Sequence, residues 1–145
     1  MAIKFELIIN ASSDKVFKAV TTKKGYQGWW AKVCDVDCKM KGISSIRFEK
    51  DDITEEMIFK ATEVEPNKKL VWLCTSNNVF ETWVGSTIIF DMEPQGKNTL
   101  LKFTHTNPDK NWKKHPDYSG SLAGWEFFIE SLKDYCENGK GSPWG

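Results

Sequence analysis

SLAGWEFFIESLKDYCE, residues 121–137, decides how this chain folds. Leu122, Trp125, Phe128, Ile129, Leu132, Tyr135 and Cys136 recur at three- and four-residue steps, the apolar stripe of a helix from about Ser121 to Glu137. Asn138-Gly139 follows as its stop, because Gly takes the left-handed cap without strain. A helix this strongly striped needs a partner surface, and the preceding hundred or so residues supply one.

That partner is a sheet. From about residue 32 the apolar residues alternate with polar ones, the period of a strand with one buried face. Val33–Cys38 carries Cys34, Val36 and Cys38 on one side, and Ile43–Lys50 carries Ile46 and Phe48. Met57, Phe59 and Ala61 align on the next strand, then Leu70, Trp72 and Cys74. A strand from about Phe80 to Met92 aligns Ile88, Phe90 and Met92, and the last aligns Leu101, Phe103 and His105. Gly42, Asp51-Asp52, Pro66-Asn67 and the loop Pro94–Asn98 are turn chemistry between them. At the N-terminus Ile3, Phe5, Leu7 and Ile9 alternate in a further strand, which ends at Asn10-Ala11-Ser12. Ser12 or Ser13 then caps a short helix with Val16, Phe17 and Val20 on its stripe, and a second short helical piece carries Tyr26, Trp29 and Trp30. Residues 107–120, with Pro108, Pro116 and Gly120, are expected to form a long loop.

Strands joined in succession by short turns pair antiparallel. The expected fold is therefore α+β: a curved antiparallel sheet of about six to seven strands around one long C-terminal helix, with two short helices after strand one. The chain of 145 residues is expected to be one domain, and at that size it buries roughly 68% of its unfolded surface. Its 40% hydrophobic and 28% charged residues exclude a mostly disordered chain.

The charge balance narrows function. Lys plus Arg and Asp plus Glu are both 20, so net charge is zero, and Arg47 is the only Arg. A nucleic-acid partner, which needs a basic surface, is not expected. No apolar run approaches the ~20 residues of a bilayer span, and MAIKFELIIN has no signal-peptide pattern. A cytoplasmic location and no membrane partner are the expectation. Cys34, Cys38, Cys74 and Cys136 read as reduced, partly buried thiols; no metal site and no cofactor are expected.

Four segments taken in order carry a family resemblance. They are KVFKAVTTKKGYQGWWA (Lys15–Ala31), FKATEVEPNKKLVW (Phe59–Trp72), STIIFDMEPQGKNTLLKFTHTN (Ser86–Asn107) and GWEFFIESLKDYCENGKGSPW (Gly124–Trp144). Together they resemble the START-like (SRPBCC) superfamily, in particular the family like the activator of the heat-shock-protein-90 ATPase. The resemblance covers essentially the whole chain and implies the helix-grip fold, with a cavity between sheet and C-terminal helix. Where many relatives carry a paired-Gly turn, this chain has Cys38-Lys-Met-Lys-Gly42, with one Gly.

A cavity lined by large aromatics is a natural apolar ligand site. Trp30, Phe48, Phe59, Trp72, Trp83, Phe90, His105, Trp125 and Phe128 are the expected ligand-binding residues, His105 giving the polar contact. The competing reading is that these rings simply fill a core. Trp83 and Trp112, near loops, are candidates for a lid or a partner surface. The paired acids Asp51-Asp52 and Glu55-Glu56 read as solvated charge around a hairpin turn. No H-E-x-x-H, Gly-rich phosphate loop or G-x-S-x-G is present, so no catalytic residue is assigned. The leading expectation is a module binding a small hydrophobic or amphipathic ligand, as a monomer or homodimer. The resemblance suggests two alternatives: a chaperone-cofactor-like interaction module, and an enzyme on an aromatic or polyketide-like substrate with His105 as acid or base.

Overall fold

The computed structural model describes residues 1–145. Seven strands form one antiparallel sheet: β1 (Ala2–Ile9), β2 (Val33–Asp35), β3 (Ile43–Lys50), β4 (Ile53–Glu65), β5 (Lys69–Asn77), β6 (Thr87–Gln95) and β7 (Asn98–Thr106). Helices α1 (Ser13–Thr21) and α2 (Lys23–Trp29) follow β1, and α3 (Asp117–Asn138) follows β7. The strand order is β1-β7-β6-β5-β4-β3-β2, so β1 alone departs from sequence order and pairs with β7. Two register shifts in the 13-residue β4, at Ile58/Phe59 and Ala61/Glu63, bend the sheet. The result is the helix-grip α+β fold, a curved sheet closed over α3.

Capping fixes the helices. The Ser12 hydroxyl accepts from the Lys15 N–H at the start of α1, and that of Thr22 accepts from Gly25 at the start of α2. Gly139 ends α3 at φ 78°, donating its N–H to the Tyr135 carbonyl. The single-Gly turn before β3 works because Lys41 itself takes the left-handed conformation, at φ 67°. Gly42 then passes so close to the Asp37 carbonyl that a Cβ would collide with its oxygen. No helix is long and apolar enough to cross a membrane.

The structure corrects three expectations. The stretch expected as one strand from Phe80 to Met92 is broken. The Asn77 side chain accepts from the Val79 and Phe80 N–H groups, both at 2.8 Å, and ends β5; residues Glu81–Trp83 make a 3₁₀ turn before β6 starts at Thr87. β2 stops at Asp35 because the chain then leaves the ladder, the Ser44 hydroxyl accepting from the Asp37 N–H. The loop after β7 is shorter than its composition suggests: Trp112–Lys114 form a 3₁₀ turn and α3 starts at Asp117.

The outer edge of β1 is one end of the sheet. Met1 and Asn107 exchange both of their backbone bonds, at 2.8 and 3.3 Å. In an antiparallel ladder such pairs alternate, so Ile3, Phe5, Leu7 and Ile9 bond β7. Ala2, Lys4, Glu6 and Ile8 point their backbone groups at an open edge.

Candidate functional site

Between α3 and the concave face of β3 and β4 lies a cavity of about 170 Å³. Its walls are Trp30, Phe48, Met57, Val79, Phe80, Trp83, Trp125, Phe128 and Trp144, with Gly124, Ser121 and Glu55 completing them. Each element contributes for a local reason. Phe48 and Glu55 face each other across the β3–β4 ladder and point inward with Met57. Trp125 and Phe128 lie one turn apart on α3. Trp30 follows α2 and meets Trp125 at 5.1 Å between ring centres.

The 3₁₀ turn that replaces the expected strand holds the next wall. Trp83 stacks on Trp125 at 5.4 Å and on Phe80 at 5.2 Å, and its indole N–H donates to Ser121 Oγ at 2.8 Å. That hydroxyl donates to the Asp117 carbonyl. Thr82 donates to the Asp117 carboxylate at 2.7 Å and accepts from the Trp112 indole at 3.0 Å. Trp83 and Trp112, candidates for a lid, are both buried; Trp112 is a structural pin under this turn. The last wall comes from the tail. Residues Ala31 and Trp144 form a parallel bridge, with Trp144 N–H donating to Trp30 O and Lys32 N–H to Trp144 O. Trp144 thus leans edge-on against Phe48 at 6.1 Å, still 44% exposed at the mouth.

Of the nine expected residues, Trp30, Phe48, Trp83, Trp125 and Phe128 line the cavity. Phe59, Trp72, Phe90 and His105 do not, and they are wholly buried. Phe59 and Trp72 stack at 4.7 Å, Tyr26 covers Trp72 at 5.1 Å, and Trp29 meets Phe90 edge-on at 6.3 Å. The aromatics of α2 therefore fill the space over these rings.

His105 is a satisfied core residue. The Trp125 indole N–H donates to its Nδ1 at 2.9 Å. An indole only donates, so Nδ1 is unprotonated and Nε2 carries the hydrogen. Nε2 donates to Ser86 Oγ at 2.7 Å, and that hydroxyl donates to the Trp83 carbonyl. Burial lowers the imidazole from 6.5 to about 3, and every polar atom of the ring is occupied. The ring ties β7 to α3 and to the 3₁₀ turn and offers nothing to a ligand.

Glu55 corrects the reading of the paired acids as solvated charge. Glu56 points outward, accepting from Ser45 Oγ at 2.8 Å with Arg47 3.8 Å away. Glu55 points inward, half-buried in the cavity wall, and its carboxylate has neither a hydrogen bond nor an ion pair within the chain. The signal was present: Glu55, Met57 and Phe59 share the period-two face. Trp144 had no such signal, because only the tail's bridge to Ala31 brings it to the mouth.

A helix-grip fold with an aromatic-walled cavity under its C-terminal helix defines a START-like protein. The chain belongs to the family described as activator of Hsp90 ATPase homolog 1-like protein, whose model matches residues 10–137. Among solved structures, it is similar to an Aha1 from Colwellia psychrerythraea solved as a dimer in solution. The two are 31% identical with a TM-score of 0.77, over 97% of this chain and 99% of that one. A Staphylococcus saprophyticus protein shares the fold at 20% identity and TM-score 0.76, over the whole of both chains. DynU16, from the dynemicin biosynthetic locus, shares it at 19% identity and TM-score 0.75, over 97% of this chain and 48% of that one. No curated protein matches.

Proposed function

We propose that this chain binds a small hydrophobic or amphipathic ligand in the cavity between α3 and the β3–β4 face. The observation carrying this is an open, aromatic-walled space of about 170 Å³, similar in size to engineered cavities of ~150 Å³ that hold benzene. The other end of the grip contrasts with it: Phe59, Trp72 and Phe90 are wholly buried, with Tyr26 on Trp72 and Trp29 on Phe90. The one histidine beside the cavity is sequestered, which favours a binding module over an enzyme.

Gly124 supplies the test. It lines the cavity from α3, and a Cβ there would meet nothing within 4 Å. Gly124→Leu puts a branched side chain into the space and removes a mid-helix glycine that costs about 1 kcal/mol. The expected result is thermal stability equal to or above the parent, with binding of an environment-sensitive apolar dye reduced more than about tenfold. Unchanged dye binding in a folded Gly124→Leu protein would mean the dye sits elsewhere and the cavity is not the site.

A second reading concerns assembly. The Colwellia relative is a dimer, and the free edge of β1 suits a homodimer here. Pairing two β1 strands antiparallel about Phe5 sets Lys4 of one copy opposite Glu6 of the other, twice. Registers centred on Lys4 or Glu6 set like charges together instead, which disfavours them. Glu6 also faces Lys102 of its own chain, so the contact would be a small charge network. The expected outcome, by analytical ultracentrifugation, is a dimer that Lys4→Glu weakens about tenfold and Lys4→Glu with Glu6→Lys restores. A dimer indifferent to both changes would use another surface.

A further inference from the structure

We infer that the cavity selects an organic ammonium ion carried on an apolar or aromatic body, with Glu55 as its counter-charge. This deepens the ligand-site reading above and rests on it. Glu55 is the only ionisable residue in the cavity wall. The hydroxyl of Ser121, the other polar side chain there, is already committed: it accepts from Trp83 and donates to the Asp117 carbonyl. An anionic ligand would therefore meet a carboxylate with no cation to offset it. A neutral apolar ligand would strip water from that carboxylate and return no interaction in exchange. A cation reverses both terms.

The walls add to the same preference. Trp30, Phe48, Phe80, Trp83, Trp125 and Trp144 surround the space, and aromatic faces attract cations through their quadrupoles, Trp most strongly. Alkylated ammonium ions suit such a box because they are weakly hydrated and present methyl groups to the rings. The rest of the mouth is nearly balanced. Lys50 and Asp51 lie on the adjoining rim with Ile53, both exposed, and Lys50 is not within ion-pair distance of Glu55. Glu56, one residue away, already has its partners on the opposite face. Glu55 is thus the one acid in the cavity wall, and the chain pairs it with nothing.

Benzyltrimethylammonium and neopentylbenzene test this directly. They have the same shape and differ in one atom, the quaternary nitrogen or carbon. Binding is read by tryptophan fluorescence and by NMR shifts of the indole N–H groups. The expected result is that the cation binds at least about tenfold tighter than its neutral isostere at low salt. Glu55→Gln, which keeps the size of the side chain, should bring the two affinities to within about threefold of each other. Equal or tighter binding of neopentylbenzene to the parent protein overturns the ammonium preference while leaving the cavity as an apolar site. A cation preference that persists in Glu55→Gln overturns the role of Glu55. If neither probe perturbs Trp83, Trp125 or Trp144, the cavity is not a ligand site and this proposal falls with that reading.

Discussion

Acidification from pH 7 to pH 5 is expected to cost this protein about 2 kcal/mol through His105 alone. The unfolded chain takes up a proton on this imidazole below about 6.5, whereas the folded protein keeps it neutral down to about 3 because the ring is buried. Stability from this source is therefore fully present above pH 6.5. It falls as the pH drops through the interval, and the loss levels off near pH 3. Protonation in place would also set an N–H on Nδ1 against the Trp125 indole N–H that donates to it. Asp35, held low by its bond and charge contact with Arg47, and Asp109, held low first by the Asn111 N–H and then by His115, contribute below the ordinary carboxylate range. The window from pH 6.5 to 5 is thus governed by His105.

Thermal denaturation followed by circular dichroism checks this, with an expected fall in Tm of about 6 °C between pH 7 and pH 5. His105→Gln should lie about 2–3 kcal/mol below the parent at pH 7 because Trp125 and Ser86 lose well-placed partners, and its Tm should be nearly flat over the same interval. A parent protein whose Tm does not move between pH 7 and pH 5 would mean that the imidazole reaches solvent.

Trp125→Ala is expected to be the most damaging single truncation, at about 4 kcal/mol or more. Trp125 packs against Phe103 at 4.5 Å, Trp30 at 5.1 Å and Trp83 at 5.4 Å, and it is 2% exposed. Its removal opens a void beside the existing cavity and orphans His105 Nδ1. Trp125→Phe keeps an aromatic in the stack while removing the indole donor and a smaller part of the ring volume, for an expected loss of about 2 kcal/mol, well short of that for Trp125→Ala. Urea denaturation of the three proteins at pH 7 gives the comparison. A loss below about 1 kcal/mol for Trp125→Ala would show that α3 is not anchored through this ring.

The strand alternation in residues 43–106 and the stripe of residues 121–137 made the sheet and its gripped helix readable before any coordinates, because both depend on period and turn chemistry, which are local. Those same patterns marked Phe48, Trp125 and Phe128 as inward-facing. Alternation assigns a residue to a face, and it says nothing about whether the space in front of that face is full. Phe59 and Phe48 both face inward, yet Phe59 is enclosed by Trp72 and Trp30 while Phe48, with Trp144 at its edge, borders the cavity. Tyr26 and Trp29 of α2 make that difference, covering Trp72 and Phe90 from an element remote in sequence.

Asn77 ends β5 through its side chain, and the 3₁₀ turn that follows, in place of the start of the expected strand, sets Trp83 on Trp125. His105 looked like a ligand contact from its strand face and proved fully bonded, since its partners Ser86 and Trp125 lie 19 and 20 residues away. Local period and turn chemistry were enough for the helix stripe, the strand alternation and the antiparallel hairpins, but they grouped Glu55 with the solvated acids of its turn although it faces the cavity. Which end of the grip stays open, that Trp144 walls its mouth, and that Glu55 stands there without a partner were settled by the tertiary fold. Those outcomes follow from packing between segments far apart in the chain, and short-range periodicity carries no record of it.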